Sequence, residues 1–393
     1  MDKRESKIPL VRFPEFKEGW EHKQLNELLK VSKKKNTDLK YSKEEVLSVS
    51  GELGIVNQIE HLGRSYAGES VHNYGVVENG DIVYTKSPLK ENPYGIIKLN
   101  KGVPGIVSTL YAVYKVKDNN ADGEFIEHYF SLDANTNRYL RPLVRKGAKN
   151  DMKINNEYVL HDRIFVPKKE EQKRIAHCFN VIDTKINQLK EKHSLLEEYK
   201  KGVMQRIFTQ EIRFKKEDGS DFPDWSKKEL GDLLDYIQPT KYLVRSTDYS
   251  ELYKTPVITA GKTFILGYTD EADGIFKCVN PIIAFDDFTT ASQFVDFDFK
   301  VKSSAMKILK AKGGMNIRFI YEAMKQIRFP VGGHQRHWIS IYSQIPIKLP
   351  NIKEQNKIAE LIKSIDNKIA IVLKETEDLK AYKKGLLQQM FVY

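Results

Sequence analysis

Residues 167–208 and 350–391 read as one stretch written twice: the offset is a constant 183, no gap is needed, and 16 of 42 positions are identical. Shared positions include Pro167/Pro350, Glu171/Glu354, Gln172/Gln355, Ile175/Ile358, Ile182/Ile365, Asp183/Asp366, Ile186/Ile369 and Leu196/Leu379, and both copies close on Tyr-Lys-Lys-Gly, Tyr199 to Gly202 and Tyr382 to Gly385. Apolar positions in each copy alternate spacings of four and three, which is a heptad seam. Neither copy contains proline after its first residue, so each is predicted to be one unbroken helix of about 38 residues, roughly 57 Å long. Two polar interruptions of the seam fall at matching places, His193 with Thr376 and Lys200 with Lys383. A polar residue in such a seam costs stability but penalises slipped registers. The obvious partner for each helix is the other.

A weaker duplication lies upstream of each helix: Trp20, Lys23, Leu25, Leu28 and Leu29 match Trp225, Lys228, Leu230, Leu233 and Leu234. The order is cyclic. Arg213-Phe214 follows the first helix as Arg12-Phe13 opens the chain, so the two termini are expected to meet in space. We therefore divide the chain into a first globular domain (1–166), a first spacer helix (167–209), a second globular domain (210–349) and a second spacer helix (350–393). The fold class expected is α+β, with the two helices pairing as an antiparallel coiled coil under pseudo-two-fold symmetry. In the first domain Glu45 to Val49, Asp81 to Tyr84, Gly105 to Val107 and Tyr111 to Val116 read as strands and Glu124 to Tyr139 as a helix. In the second, Pro256 to Ile258, Pro281 to Phe285 and Met306 to Leu309 read as strands and Asn316 to Ile327 as a helix. Ile164 to Val166 and Ile345 to Leu349 lead into the spacer helices.

Composition narrows the function. The net charge is +11 and the pI near 9.2, which points to an acidic partner, nucleic acid first. The excess is spread over all four parts rather than carried by a tail. Only Cys178 and Cys278 are present, without the paired spacing of a zinc or redox site, and no stretch is apolar enough to span a membrane, so a cytoplasmic protein is expected.

The best candidates for DNA contact are two basic, glycine-bearing loops at equivalent places, each after its domain's helix. The first comprises Arg138, Arg141, Arg145, Lys146, Gly147, Lys149, Asn150 and Lys153; the second Arg328, Gly333, His334, Gln335, Arg336, His337 and Trp338. Phosphates take Lys and Arg, base edges take Arg, Asn and Gln forks, and glycine permits close approach. Secondary candidates are Arg64, Lys86 and Ser87 in the first domain and Lys241, Lys262, Thr289 and Thr290 in the second. For helix pairing and subunit docking the candidates are Ile175, Ile182, Ile186, Leu196, Tyr199 and Gly202 with Ile358, Ile365, Ile369, Leu379, Tyr382 and Gly385.

Several apparent catalytic motifs fail. Gly261-Lys262-Thr263 ends like a phosphate loop, but the glycine that such a loop needs five residues earlier is Pro256, and Asp270-Glu271-Ala272-Asp273 follows too closely to be its partner. Asn92-Pro93-Tyr94 lacks one proline of an adenine-methyltransferase motif, and no glycine-rich cofactor loop precedes it. His334 and His337 have no further ligand set, so no metal is expected in this chain.

The duplicated Pro…Glu-Gln…Ile-Ala signature with its closing Tyr-Lys-Lys-Gly resembles the specificity subunit of type I restriction–modification systems, and the resemblance covers the whole chain. It implies a non-catalytic subunit that sets two target-recognition domains on the halves of a bipartite double-stranded DNA site. Two methyltransferase subunits and two ATP-dependent motor-nuclease subunits would be its partners, and the S-adenosylmethionine, ATP and Mg sites would lie in those partners. The competing classes are a coiled-coil scaffold without a DNA role and a stand-alone enzyme acting on DNA.

Overall fold

The structure, a computed structural model, describes residues 6–89, 92–146, 152–329 and 337–392. It divides into two units, residues 1–191 with 373–393, and residues 192–372. Each unit thus takes part of both long helices.

Both helices are continuous. The first runs Lys169–Phe208 over 40 residues and the second Ile352–Met390 over 39, with a proline two residues ahead of each, where its fixed φ and missing N–H do no harm. Asn351 caps the second helix by accepting the Glu354 amide on Oδ1 at 3.1 Å, as short polar side chains do at helix starts.

The first unit is built on a four-stranded antiparallel sheet in the order Leu29–Val31, Tyr111–Val116, Ile82–Thr85, Ile97–Leu99. Its central strand is fully buried, as the run Ile-Val-Tyr-Thr demands. Trp20–Gln24 pairs with Arg163–Val166, which leads into the long helix. The predicted helix from Glu124 to Tyr139 is instead two helices, Gly123–Phe130 and Asp133–Leu140. Ser131 stops the first by bonding its hydroxyl to the His128 carbonyl at 2.7 Å, the local competition through which serine disfavours helix interiors.

The second unit repeats the sheet with Leu234–Ile237, Met306–Ala311, Ile282–Asp286 and Ser292–Val295 in the same order. Its helix is Ile317–Lys325, capped by Asn316 Oδ1, which accepts the Arg318 and Phe319 amides. Ser226–Glu229 pairs with Pro346–Leu349 ahead of the second long helix. Neither Trp20–Gln24 nor Ser226–Glu229 is evident as a strand from sequence, because Lys, Glu and Gln dominate them and the pairing is decided by a partner more than 100 residues away.

Within the first unit the segment around Val11 meets the end of the second long helix. The Val11 amide donates to the Gln389 carbonyl at 3.0 Å, and Phe391 packs against Trp20 and Phe125 with ring centroids 6.2 and 5.3 Å apart. The second unit makes the same cluster from Phe208, Trp225 and Phe319, at 6.2 and 5.5 Å. Phe208 and Phe391 are the last identical pair of the duplication.

Candidate nucleic-acid interface

The frame that positions each candidate face is built from the duplicated residues. In the first unit Arg12 grips both carboxylate oxygens of Glu171, at 2.7 Å from Nε and 2.7 Å from Nη2, and Trp20 Nε1 donates to the same carboxylate at 3.3 Å. In the second, Arg213 holds Glu354 at 3.2 and 2.9 Å, and Trp225 Nε1 donates to it at 3.1 Å. Both glutamates are buried. Each stands in the first turn of its helix, where the unpaired amides favour negative charge, and each carboxylate holds its arginine's pKa above the ordinary value.

The following glutamine serves the other side. Gln172 donates to the Asn120 and Pro167 carbonyls and accepts the amide of Asp122, the residue that caps the Gly123–Phe130 helix. Gln355 donates to the Pro350 carbonyl and accepts the amide of Asn316, the cap of the second unit's helix. The repeated Glu-Gln dipeptide is therefore a junction: the glutamate takes the N-terminal tryptophan strand and the glutamine takes the helix. Their recurrence was legible in the sequence; the partners were not, since Arg12 lies 159 residues from Glu171.

The seam lysines are matched as well. Lys383 bonds both oxygens of Asp183, at 2.6 and 2.7 Å, in the first unit. Its counterpart Lys200 reaches Asp366 at 2.6 Å in the second. Of the other seam candidates, Ile175, Ile186, Ile358, Ile365 and Ile369 are buried, and Ile182 and Leu196 are half-buried. Tyr199 and Tyr382 stand 56% and 59% exposed, and among the described residues no atom beyond the helix's own adjacent backbone lies within 4 Å of a Cβ built on Gly202 or Gly385. That side of each helix is open, although a glycine inside a helix costs about 1 kcal/mol relative to alanine.

On the first unit Arg138 and Arg141 are exposed and border one depression with Pro93, Tyr94 and Asn137. Arg64 is exposed and lies 4.6 Å over the Tyr66 ring, and Ser87 is exposed. Lys86 donates to Asn156 Oδ1 at 3.2 Å, and Tyr114 donates to the Asn156 carbonyl at 3.0 Å. Lys86 thus secures the chain that follows the basic loop. The backbone of Arg145–Lys146 pairs with that of Met152–Lys153 in a two-stranded ladder; Gly147, Lys149 and Asn150 lie outside the described residues.

On the second unit Arg328, Lys241, Lys262 and Thr289 are exposed. Thr290, at φ 58°, turns the hairpin between Ile282–Asp286 and Ser292–Val295. Asp286 Oδ1 fixes that turn by accepting the Phe288 and Thr289 amides. Gly333, His334, Gln335 and Arg336 lie outside the described residues. His337 and Trp338 correct the expectation that they face DNA: they are 3% and 2% exposed, and Trp338 packs on Phe285 and Tyr342. An indole this large is worth more in the core than on a wet face. The segment is held by Asp287, whose carboxylate accepts the Trp338 amide and whose carbonyl accepts the His337 amide, both at 2.8 Å. Asp287 itself is faced by Lys307 at 3.5 Å, and both are buried. No sequence signal singled out either residue.

The failed motifs have structural roles. Thr259 closes the turn at Gly261-Lys262-Thr263, accepting the Gly261 amide and donating to the Thr263 carbonyl. Glu271 binds Lys300 at 2.6 Å and accepts the amides of Arg245 and Ser246, and Lys300 and these donors hold its pKa down at about 2. Asn92 donates to Asp133 at 2.7 Å. Among the described residues no cluster of His, Cys, Asp and Glu suits a metal ion, and no helix is long and apolar enough to cross a membrane.

Comparison with known proteins agrees with this repeated frame. The chain is 44% identical over 164 residues to the type I restriction enzyme EcoR124I/EcoR124II specificity subunit of Escherichia coli, a match covering 39% of this chain and 41% of that relative. It is 23% identical over 423 residues to the putative type I restriction enzyme MjaX specificity subunit of Methanocaldococcus jannaschii, covering 98% and 95%. The fold is that of the type I restriction–modification S subunit from M. genitalium, with a TM-score of 0.64 at 15% identity, covering 98% of this chain and all of that one. The sequence model of the type I restriction modification DNA specificity domain matches twice, at residues 17–198 and 223–381, and the chain therefore belongs to that family.

Proposed function

We propose that this chain is the non-catalytic specificity subunit of a cytoplasmic type I restriction–modification complex, reading a bipartite double-stranded DNA target with one unit per half-site. The observation that carries the reading is the contrast between a repeated frame and unlike faces. The Arg–Glu–Trp anchor, the Glu-Gln junction and the aromatic cluster recur in both units. The exposed basic residues do not: Arg138 and Arg141 border one depression on the first unit, while Arg328, Lys241 and Lys262 are exposed on the second. A shared frame with divergent basic faces suits two reading heads of different sequence preference, with phosphate contacts positioning and side chains at base edges specifying.

The two long helices are the spacer between the heads and pair antiparallel, in the manner of a coiled coil with pseudo-two-fold symmetry. The reciprocal pairs Asp183–Lys383 and Lys200–Asp366 support this, because residue i meeting j while j's counterpart meets i's counterpart is what a two-fold relation produces. The exposed Tyr199/Gly202 and Tyr382/Gly385 sides suit the docking of two methyltransferase subunits, with two motor-nuclease subunits joining for restriction. S-adenosylmethionine, ATP and Mg belong to those partners, and the flipped adenine is received in the methyltransferase.

Sequencing of methylated adenines in cells carrying this chain with its methyltransferase tests the reading: one two-block motif with an unread gap is expected, and methylation at a continuous site or none refutes it. Seven residues inserted after Leu189 keep the seam and add about 10 Å, roughly three base pairs. Half-site bases should persist while the gap changes or pairing fails; changed bases with an unchanged gap would refute the spacer role.

A further inference from the structure

The first unit contains a cavity of about 550 Å³ that the DNA-reading proposal does not use. Six lysines line it, Lys98, Lys101, Lys190, Lys380, Lys383 and Lys384, with the apolar side chains of Leu53, Leu99 and Leu387 among the rest of its wall. Four of the lysines are matched: Lys101 with Glu127 at 2.9 Å, Lys190 with Glu52 at 2.9 Å, Lys383 with Asp183 at 2.6 Å, and Lys380 with Glu377 at 2.8 Å. Lys98 and Lys384 make no ion pair or hydrogen bond among the described residues. Asp133, the remaining acid of the lining, keeps its charge while accepting a hydrogen bond from Asn92, so the lining sets four carboxylates, Glu52, Glu127, Asp133 and Asp183, against the six lysines. The cavity therefore carries uncompensated positive charge.

Lys98 is the unusual member. It stands half-buried on the strand Ile97–Leu99, and burial pushes its pKa down; the charges of Glu127 and Asp183 oppose that shift, and those of Lys383 and Lys101 add to it. Holding an unpaired ammonium out of water is unfavourable unless something pairs with it. The floor offers no help: His128 is buried, donates through Nε2 to Asn180 Oδ1 at 3.0 Å, and has its pKa lowered to about 4, so it is neutral near pH 7.

The second unit treats the same place differently. The position of Lys98, opposite Val83 next to Tyr84, corresponds by strand register to Gln293, opposite Ala284 next to Phe285. There Arg318 sits 4.5 Å over Phe294 and binds Asp366 and Glu322, placing its own guanidinium among the unit's carboxylates. In the first unit the residue at the corresponding helix position is Glu124, which accepts from Asn180, faces Lys101 at 3.9 Å and, among the described residues, makes no ion pair with Lys98.

We propose that this cavity is a binding site for a small phosphate-bearing anion, seated on Lys98 and Lys384 with any organic part against Leu53, Leu99 and Leu387. Its volume falls in the range of small-molecule sites, and its convergent cations within a partly apolar wall match their usual chemistry. The anion supplies the charge that Arg318 and its carboxylates settle internally in the second unit.

The test is calorimetric titration of the full chain, in chloride buffer, with inorganic phosphate, adenosine 5′-monophosphate and uncharged adenosine. Saturable binding of one anion per chain is expected, with none for adenosine. Equal affinity for the two phosphates assigns a free inorganic ion, and tighter binding of the nucleotide an organic phosphate; both support the site. Lys98→Met should weaken binding at least tenfold and Lys384→Gln severalfold, while Lys348→Gln, exposed on the second unit and in neither proposed site, changes nothing. Methionine keeps the stem and removes an unpaired ammonium, so the ligand-free variant should unfold at an unchanged or higher temperature. No saturable binding, an unaltered Lys98→Met, or a destabilised ligand-free Lys98→Met overturns the proposal. So does an equal loss of duplex DNA affinity in Lys98→Met, which would make the cavity part of the DNA footprint.

Discussion

Removal of the Glu171 carboxylate tests the anchor that ties the first unit's N-terminal segment to its long helix. In Glu171→Ala the Arg12 guanidinium, whose side chain is 10% exposed, keeps its charge but loses both carboxylate bonds, and Trp20 Nε1 loses its acceptor. Breaking a buried ion pair by deleting one partner costs about 3–5 kcal/mol, because the other charge is left uncompensated. Glu354→Ala orphans Arg213, which is 22% exposed and also donates to the Phe222 and Pro223 carbonyls. Arg12 keeps one carbonyl acceptor, that of Glu18, whereas Arg213 keeps two, has Asp224 at 3.6 Å and meets more water, so about 2–3 kcal/mol is expected there. For units of this size 1 kcal/mol moves the midpoint by about 2–4 °C. The two units need not unfold together, so the assay is hydrogen exchange by mass spectrometry, followed separately for peptides of each unit. Glu171→Ala should raise exchange in Trp20–Gln24 and Arg163–Val166 and leave Ser226–Glu229 unchanged. The double variant Arg12→Met with Glu171→Met should recover most of the loss. A cost below about 1 kcal/mol for Glu171→Ala, or a double variant worse than the single, would show that the anchor reading is wrong.

Gly202→Ala and Gly385→Ala should each stabilise the isolated chain by up to about 1 kcal/mol, since among the described residues no neighbour opposes the added Cβ, while weakening methyltransferase capture in a pull-down; unchanged capture removes that side from the docking surface. His128, with its pKa lowered to about 4 from 6.5, gives stability fully present above pH 6.5 and lost as pH falls through 4, because the unfolded chain binds its proton first. Acid titration of His128→Gln should therefore be flatter than wild type between pH 6.5 and 4, and superimposable curves refute the assignment. Arg141→Ala, if it reads a base, should cost about 1–3 kcal/mol of DNA binding and relax preference in one half-site only; equal loss on DNA altered in either half points to phosphate contact.

The sequence by itself determined the plan of this protein. A gapless repeat with a heptad period and no internal proline leaves little but two long helices, and both form within three residues of the expected limits, since helix formation is local once proline is absent. The strands Gly105–Val107 and Tyr111–Val116 fall where their β-branched and aromatic runs place them. The repeat also marked Glu171, Gln172, Trp20, Asp183 and Lys200 as positions that matter. Tertiary structure decided what each of them does. Glu171 meets Arg12, Lys383 meets Asp183, and Trp338 turns inward because partners far apart in the chain define its surroundings. Side-chain type alone cannot distinguish a cation that faces DNA from one such as Lys307 that balances a buried aspartate. The same holds for Lys98: its spacing along the strand marks it as an ordinary alternating polar position, and only the packing of helices over that strand makes it the unpaired charge in a cavity.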